Sequence, residues 1–144
     1  MHKDKAMGKV IGLDYGSKRV GVAITDELRM IASPLQTIHS KDLLSFLKEK
    51  QEKDDIDELV LGLPKGLRGE DTDSTQQVLE LKIHLERSFP EWKIHLIDER
   101  FTSKMASRAM VAGNVPKAKR AEKGMVDKIS AAIILQSFLE STSN

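Results

Sequence analysis

Three acidic residues stand at the margins of apolar runs, where side chains are usually apolar or small. Asp14 closes the run KVIGLD over residues 9–14, just before Tyr15-Gly16. Glu99 follows the apolar stretch KIHLI over residues 93–97, in Ile97-Asp98-Glu99-Arg100. Asp127 opens a C-terminal stretch rich in Ala, Ile and Leu. A carboxylate taken out of water needs a partner, a proton or a metal. Clustered carboxylates repel one another, and a divalent cation removes that penalty. The chain has no cysteine, and its four histidines (His2, His39, His84, His95) are scattered without zinc-ligand spacing. Oxygen ligands alone point to Mg²⁺ or Mn²⁺. Asp14, Glu99 and Asp127 converging on such ions would suit phosphodiester hydrolysis by two metals. One metal would activate a water and the other would steady the leaving 3′ oxygen, with Asp14 bridging them.

Each acid also has a plainer reading. Asp14 can cap a hairpin turn by accepting from nearby amides. Glu99 can mark a helix N-terminus, where the dipole favours acids, or pair locally with Arg100. Period-two geometry sends Asp98 and Glu99 to opposite sides, so one of them reaches a shared site. Asp127 can be a solvated first-turn acid. Yet positions 127, 131, 134 and 138 form one helical stripe, Asp127, Ala131, Ile134 and Phe138, which should face a sheet. Ser130, Ala131 and Ala132 are small enough for close approach.

The elements that must position these acids can be read from periodicity. Residues 9–14 and 19–25 read as strands joined by the tight turn Tyr15-Gly16-Ser17-Lys18. Residues 30–38 read as an edge or irregular strand interrupted by Pro34. Helical spacing follows over 41–53, with Ser40 as N-cap, then a buried strand over 58–63 stopped by Pro64. A helix over 73–89, a strand over 93–97, a helix over 102–112 capped by Thr102, a basic loop over 113–122 and a last helix over 124–140 complete the order. Three short-linked strands predict an antiparallel meander, and the later strand-helix-strand units predict parallel strands. The expected fold is α/β: a five-stranded mixed sheet, three antiparallel then two parallel strands, with helices on both faces. Residues 1–8 are expected to be a flexible leader, 9–140 one domain and 141–144 a tail.

Composition bounds the partners. The chain has 144 residues, 40% hydrophobic and 31% charged, as expected for one soluble globular domain. No apolar run nears the roughly 18 residues that span a bilayer, and the N-terminus lacks a signal-peptide core. A cytoplasmic location and no membrane partner are the expectations. The net charge of +1 gives no global nucleic-acid signal. The distribution does: residues 100–128 carry eight Lys or Arg against Glu122 and Asp127. Lys117, Lys119, Arg120 and Lys123 could track a nucleic-acid backbone, and Lys18, Arg19 and Arg100 could hold phosphate oxygens. A solvated basic loop and an Asp98–Arg100 pair are the plain alternatives. Aromatic residues are few, so extended base stacking is not expected, and Tyr15 is the best single candidate.

From about Lys9 to Glu140 the chain resembles the YqgF family, also called RuvX, ribonuclease-H-like relatives of the RuvC resolvases. Four motifs carry the resemblance in order: Gly12-Leu13-Asp14-Tyr15-Gly16-Ser17-Lys18-Arg19-Val20-Gly21-Val22-Ala23; Val60-Leu61-Gly62-Leu63-Pro64; Asp98-Glu99-Arg100-Phe101-Thr102; and Asp127-Lys128-Ile129-Ser130-Ala131-Ala132 leading to Ile134-Leu135-Gln136. Ser130 stands where the family usually has Ala. The resemblance implies a ribonuclease-H-like fold and an acidic triad of Asp14, Glu99 and Asp127, choosing Glu99 over Asp98. It also implies a bacterial cytoplasmic nuclease that matures the 5′ end of pre-16S ribosomal RNA, with Holliday-junction resolution on branched DNA as the older assignment. Contacts with ribosomal proteins or a second copy are further expectations.

Two other classes compete. The run Gly12-Leu13-Asp14-Tyr15-Gly16-Ser17 resembles a phosphate loop of actin-like ATPases, but these need two such domains, and no GxxxxGK[ST] loop occurs. A non-catalytic module that binds nucleic acid or ribosomes is the third reading, since fold alone does not guarantee activity.

Overall fold

The computed structural model describes residues 8–66, 68–99 and 124–142. The helix expected over 102–112, the loop over 113–122 and residues Arg100, Lys117, Lys119, Arg120 and Lys123 lie outside the described residues, as do 1–7.

Five strands form one sheet: β1 (Lys9–Tyr15), β2 (Arg19–Thr25), β3 (Ala32–His39), β4 (Ile56–Leu63) and β5 (Lys93–Asp98). Their spatial order is β3-β2-β1-β4-β5. β1, β2 and β3 pair antiparallel, β4 lies parallel to β1, and β5 parallel to β4. This is the mixed sheet expected from the pattern. β3 is an edge strand, as Pro34 required, and its pairing with β2 shifts register between Val22 and Ala23. A proline, which has no N–H to donate, is tolerated beside such an irregularity.

Among the described residues three helices cover the sheet: α1 (Leu43–Lys53), α2 (Asp73–Ser88) and α3 (Met125–Thr142). Ser40 does not cap α1. It starts a 3₁₀ turn, Ser40–Asp42, whose N-cap is His39, and its hydroxyl donates to the Ser17 carbonyl. α2 begins with a capping box, in which the Thr72 side chain accepts from Thr75 N–H while the Thr75 hydroxyl accepts from Thr72 N–H. α3 runs two residues past its expected end.

Strand alternation divides the core in two. Ile11, Leu13, Val20, Val22, Leu59 and Leu61 face α1 and α2, where Leu43, Leu47, Val78 and Leu85 meet them. Val10, Ala23 and Val60 point the other way, against Ala131, Ile134, Leu135 and Phe138 of α3. β4 is apolar on both faces because both are covered. Gly8 is buried and tied to Asp57, where its N–H donates to a carboxylate oxygen. No helix among the described residues is long and apolar enough to cross a membrane.

Candidate active site

On β1, Val10, Gly12 and Asp14 share the α3 face, as the period of two demands. Tyr15 falls on the opposite side and packs against the α1/α2 core. That assignment of its ring replaces the stacking role considered from sequence. On β2 the same parity gives Arg19, Gly21 and Ala23 to the α3 face. Gly21 is the cross-strand neighbour of both Asp14 on β1 and Thr37 on β3.

Glycines let α3 come in close. A Cβ on Gly21 would overlap the Asp127 carbonyl, and one on Gly12 would stand 2.8 Å from Leu135 Cβ and 3.1 Å from the Ala131 carbonyl oxygen. Ser130 and Ala131 supply the matching small surface on the helix, and both are buried. The helix start is fixed from β3. The Thr37 hydroxyl donates to the Gly124 carbonyl at 2.5 Å. Gly124 has φ +96, a left-handed conformation that favours glycine. Further along, Gln136 accepts from the Ala32 N–H at 3.0 Å. The small helix residues stand out in the sequence, whereas their glycine counterparts are apparent only across three separate strands. The signal was available, because Gly12, Gly21 and Gly62 occupy one face of three neighbouring strands.

Glu99 follows β5 directly, its N–H donating to the Leu63 carbonyl at 3.2 Å. Ile94 and Leu96 pack on the α1/α2 side and Ile97 on the α3 side, so Glu99 continues the α3-facing parity. Its carboxyl lies over Gly62, where a Cβ would collide with Glu99 Oε2 and stand 2.5 Å from Ile134 Cδ1. There it shares a hydrogen bond with Asp14. Burial pushes Glu99 up to about 9, helped by the Asp14 charge, by that hydrogen bond and by the Asp98 charge. Burial also raises Asp14, the Asp127 charge adds to this, and the hydrogen bond from Glu99 works against it. Burial thus favours a proton on the pair, shared in the hydrogen bond between the two carboxyls.

Asp127 lies in the first turn of α3, near enough to act on Asp14 electrostatically. Its Oδ2 accepts from Arg19 Nε at 2.8 Å. With the side chains 45% and 23% exposed, this pair contributes less than about 1 kcal/mol. Lys18 is exposed in the β1–β2 turn beside it. Beyond β4, Lys65 pairs with Asp71 and Glu70 folds the loop back through Arg68 N–H.

The three acids thus occupy one end of the sheet on one face: Asp14 and Glu99 in contact, and Asp127 in electrostatic reach but turned to Arg19. Among the described residues no three acidic or histidine side chains stand close enough together to hold an ion as they are. The Asp14–Glu99 pair nevertheless has the donor chemistry of a cation site. Two carboxyls forced to share one proton are a hard-oxygen set whose repulsion a divalent cation relieves.

An opening of about 660 Å³ lies at the other end of the sheet, lined by Gly8, Lys9, Arg29, Lys53, Asp54 and Asp55 among others. Within it Lys9 pairs with Asp54, which Lys50 also meets. Beside it, Arg29 reaches Glu58 and the Gly8 carbonyl, and Glu58 also meets His95 Nε2 at 2.6 Å. That network fastens Gly8, just before β1, to β4 and β5 and is remote from Asp14. It was not read from sequence.

The chain matches the RuvX family, described as Holliday junction resolvase, over residues 8–141. A protein of Christiangramia forsetii described as a candidate pre-16S rRNA nuclease is 42% identical over 133 residues, covering 92% of this chain and 98% of that one. One of Porphyromonas gingivalis, described in the same words, is 40% identical over 134 residues, covering 93% and 97%. Among solved structures, Thermus thermophilus RuvC in complex with a Holliday junction substrate superposes with a TM-score of 0.57 at 12% identity. The match covers 94% of this chain and 96% of that one, and it establishes the ribonuclease-H-like fold.

Proposed function

Because the chain belongs to the RuvX family, we propose that it is a metal-dependent nuclease whose centre is Asp14, Glu99 and Asp127. Its substrate on this reading is the 5′ end of pre-16S ribosomal RNA, and its place is the cytoplasm. The observation that carries the reading is the forced contact of the Asp14 and Glu99 carboxyls beneath the first turn of α3. A fold alone has no need of two buried acids in conflict. Perturbed carboxyls concentrate where chemistry is done.

Asp14, Glu99 and Asp127 would hold one or two Mg²⁺ or Mn²⁺ ions. Such ions, when bound, supply a Lewis acid for the phosphodiester and lower the pKa of water. The chain's own part is positional. β1 presents Asp14 at the sheet end, β4 leaves room for Glu99 by placing Gly62 beneath it, and α3 brings Asp127 over Gly21. Glu99 must give up its proton before it can ligate, so cation binding releases protons and strengthens as pH rises. Lys18, with Arg100, Lys117, Lys119, Arg120 and Lys123 from the sequence reading, would meet the phosphate backbone and give salt-dependent affinity.

Branched DNA is the second reading, favoured by the family description. The names of the 40–42% identical relatives favour ribosomal RNA. Mapping 16S ends in cells depleted of the protein separates the two. Unprocessed 5′ ends are expected to accumulate, restored by the wild type and not by Asp14→Asn. Normal 5′ ends after depletion would overturn the ribosomal reading.

A further inference from the structure

We infer that Arg19 is an internal counter-cation of the cation site, one that holds Asp127 until a divalent ion replaces it. The inference rests on the reading of Asp14, Glu99 and Asp127 as cation ligands. Arg19 opens β2 on the α3-facing side, two residues before the Gly21 on which the α3 backbone rests at Asp127. The Arg19 guanidinium is aimed at Asp127 Oδ2. The backbone of Asp127 is thus fixed by close packing while, among the described residues, its carboxylate is held by an open, solvated ion pair.

This arrangement has two consequences. Without a cation, Asp14 and Glu99 are joined by their hydrogen bond, and Arg19 neutralises the third acid, Asp127. When a cation enters, Asp127 has a stronger partner, and pairs this exposed exchange readily. The displaced guanidinium is then left at the rim of the site, with donors suited to phosphate oxygens. One side chain would thereby couple cation occupancy to readiness for the phosphodiester. Lys at this position would keep the charge but lose the fixed fork of donors.

The test is a calorimetric titration of Mn²⁺ into the full chain without nucleic acid, in a double-mutant cycle of Arg19→Gln and Asp127→Asn. Arg19→Gln alone is expected to tighten Mn²⁺ binding about two- to fivefold, the range an exposed pair can supply. In the Asp127→Asn background the same change is expected to leave Mn²⁺ affinity unaltered. Equal tightening in both backgrounds would show that Arg19 acts only as a distant charge, and it would overturn this inference while leaving the acidic site standing. Weaker Mn²⁺ binding in Arg19→Gln would overturn it also, by making Arg19 a structural support. No Mn²⁺ binding by the wild type at any concentration up to millimolar would overturn the site reading and this inference together. Thermal melting of each variant guards against misreading an unfolded chain.

Discussion

Gly21→Ala is expected to abolish cleavage and to lower the melting temperature by on the order of 10 °C. A methyl group there would overlap the backbone carbonyl of Asp127. Backbone at a helix start cannot swing aside as a side chain can, so α3 must lift away from β2. Overpacking of this kind costs typically 1–3 kcal/mol, occasionally more, and here roughly the upper end is expected. For a chain of this size about 3 kcal/mol corresponds to some 6–12 °C. Asp127 moves with the helix and leaves the reach of Asp14, so activity falls even in the fraction that remains folded. Gly62→Ala gives the useful contrast. There the colliding atoms are the Glu99 carboxyl and Ile134 Cδ1, both side-chain ends. Stability should fall less while cleavage is lost nearly as completely, because Glu99 is displaced. Melting curves and cleavage rates of the two variants check this. A Gly21→Ala protein that melts like the wild type would contradict the close approach of α3.

Glu99→Gln should also lose cleavage, by more than the roughly 100-fold typical of losing an outer partner of a metal ligand. Yet the metal-free variant should be more stable than the wild type in mild alkali. The sign follows from where the proton sits. Glu99 in the folded protein holds its proton to about 9, against an ordinary value of 4.5. Between those limits the folded state binds more protons than the unfolded, so stability falls as pH rises, by up to about 1.4 kcal/mol per pH unit from this group. Glutamine removes that dependence. Metal-free wild type and variant should therefore melt at similar temperatures near pH 5, and the variant should melt higher near pH 8.5. Mn²⁺ should then raise the melting temperature of the wild type at pH 8.5 and leave the variant unmoved. Parallel melting temperatures of the two proteins from pH 5 to 8.5 would contradict the buried, shared proton.

Much of this site was legible because strand alternation is strict. KVIGLD places Asp14 with Val10 and Gly12 on one face once any one of them is assigned, and the structure keeps that parity. The stripe of Ala131, Ile134 and Phe138 likewise fixed the buried side of α3. The choice between Asp98 and Glu99 was not decidable locally. It depends on which face of β5 α3 covers, a property of the whole sheet rather than of the stretch around Asp98. The Arg19–Asp127 pair spans 108 positions, so no local pattern could announce it. Ser40 shows a different failure. A hydroxyl before a helix is a good cap in isolation, but here it turns back to Ser17 and the chain first makes a 3₁₀ turn. Thr37 reads as an ordinary edge-strand residue until the carbonyl of Gly124 is brought to it.

On the proposed reading Asp14 and its neighbours hold divalent ions for phosphodiester cleavage. It is tested most directly by incubating purified protein with an RNA spanning the 5′ end of pre-16S, and in parallel with a branched DNA, in Mn²⁺ or Mg²⁺. Wild type should cut the RNA, chelation should stop it, and Asp14→Asn, folded by melting, should be inactive. Equal cutting by wild type and Asp14→Asn, or persistence of cutting after chelation, would contradict the account.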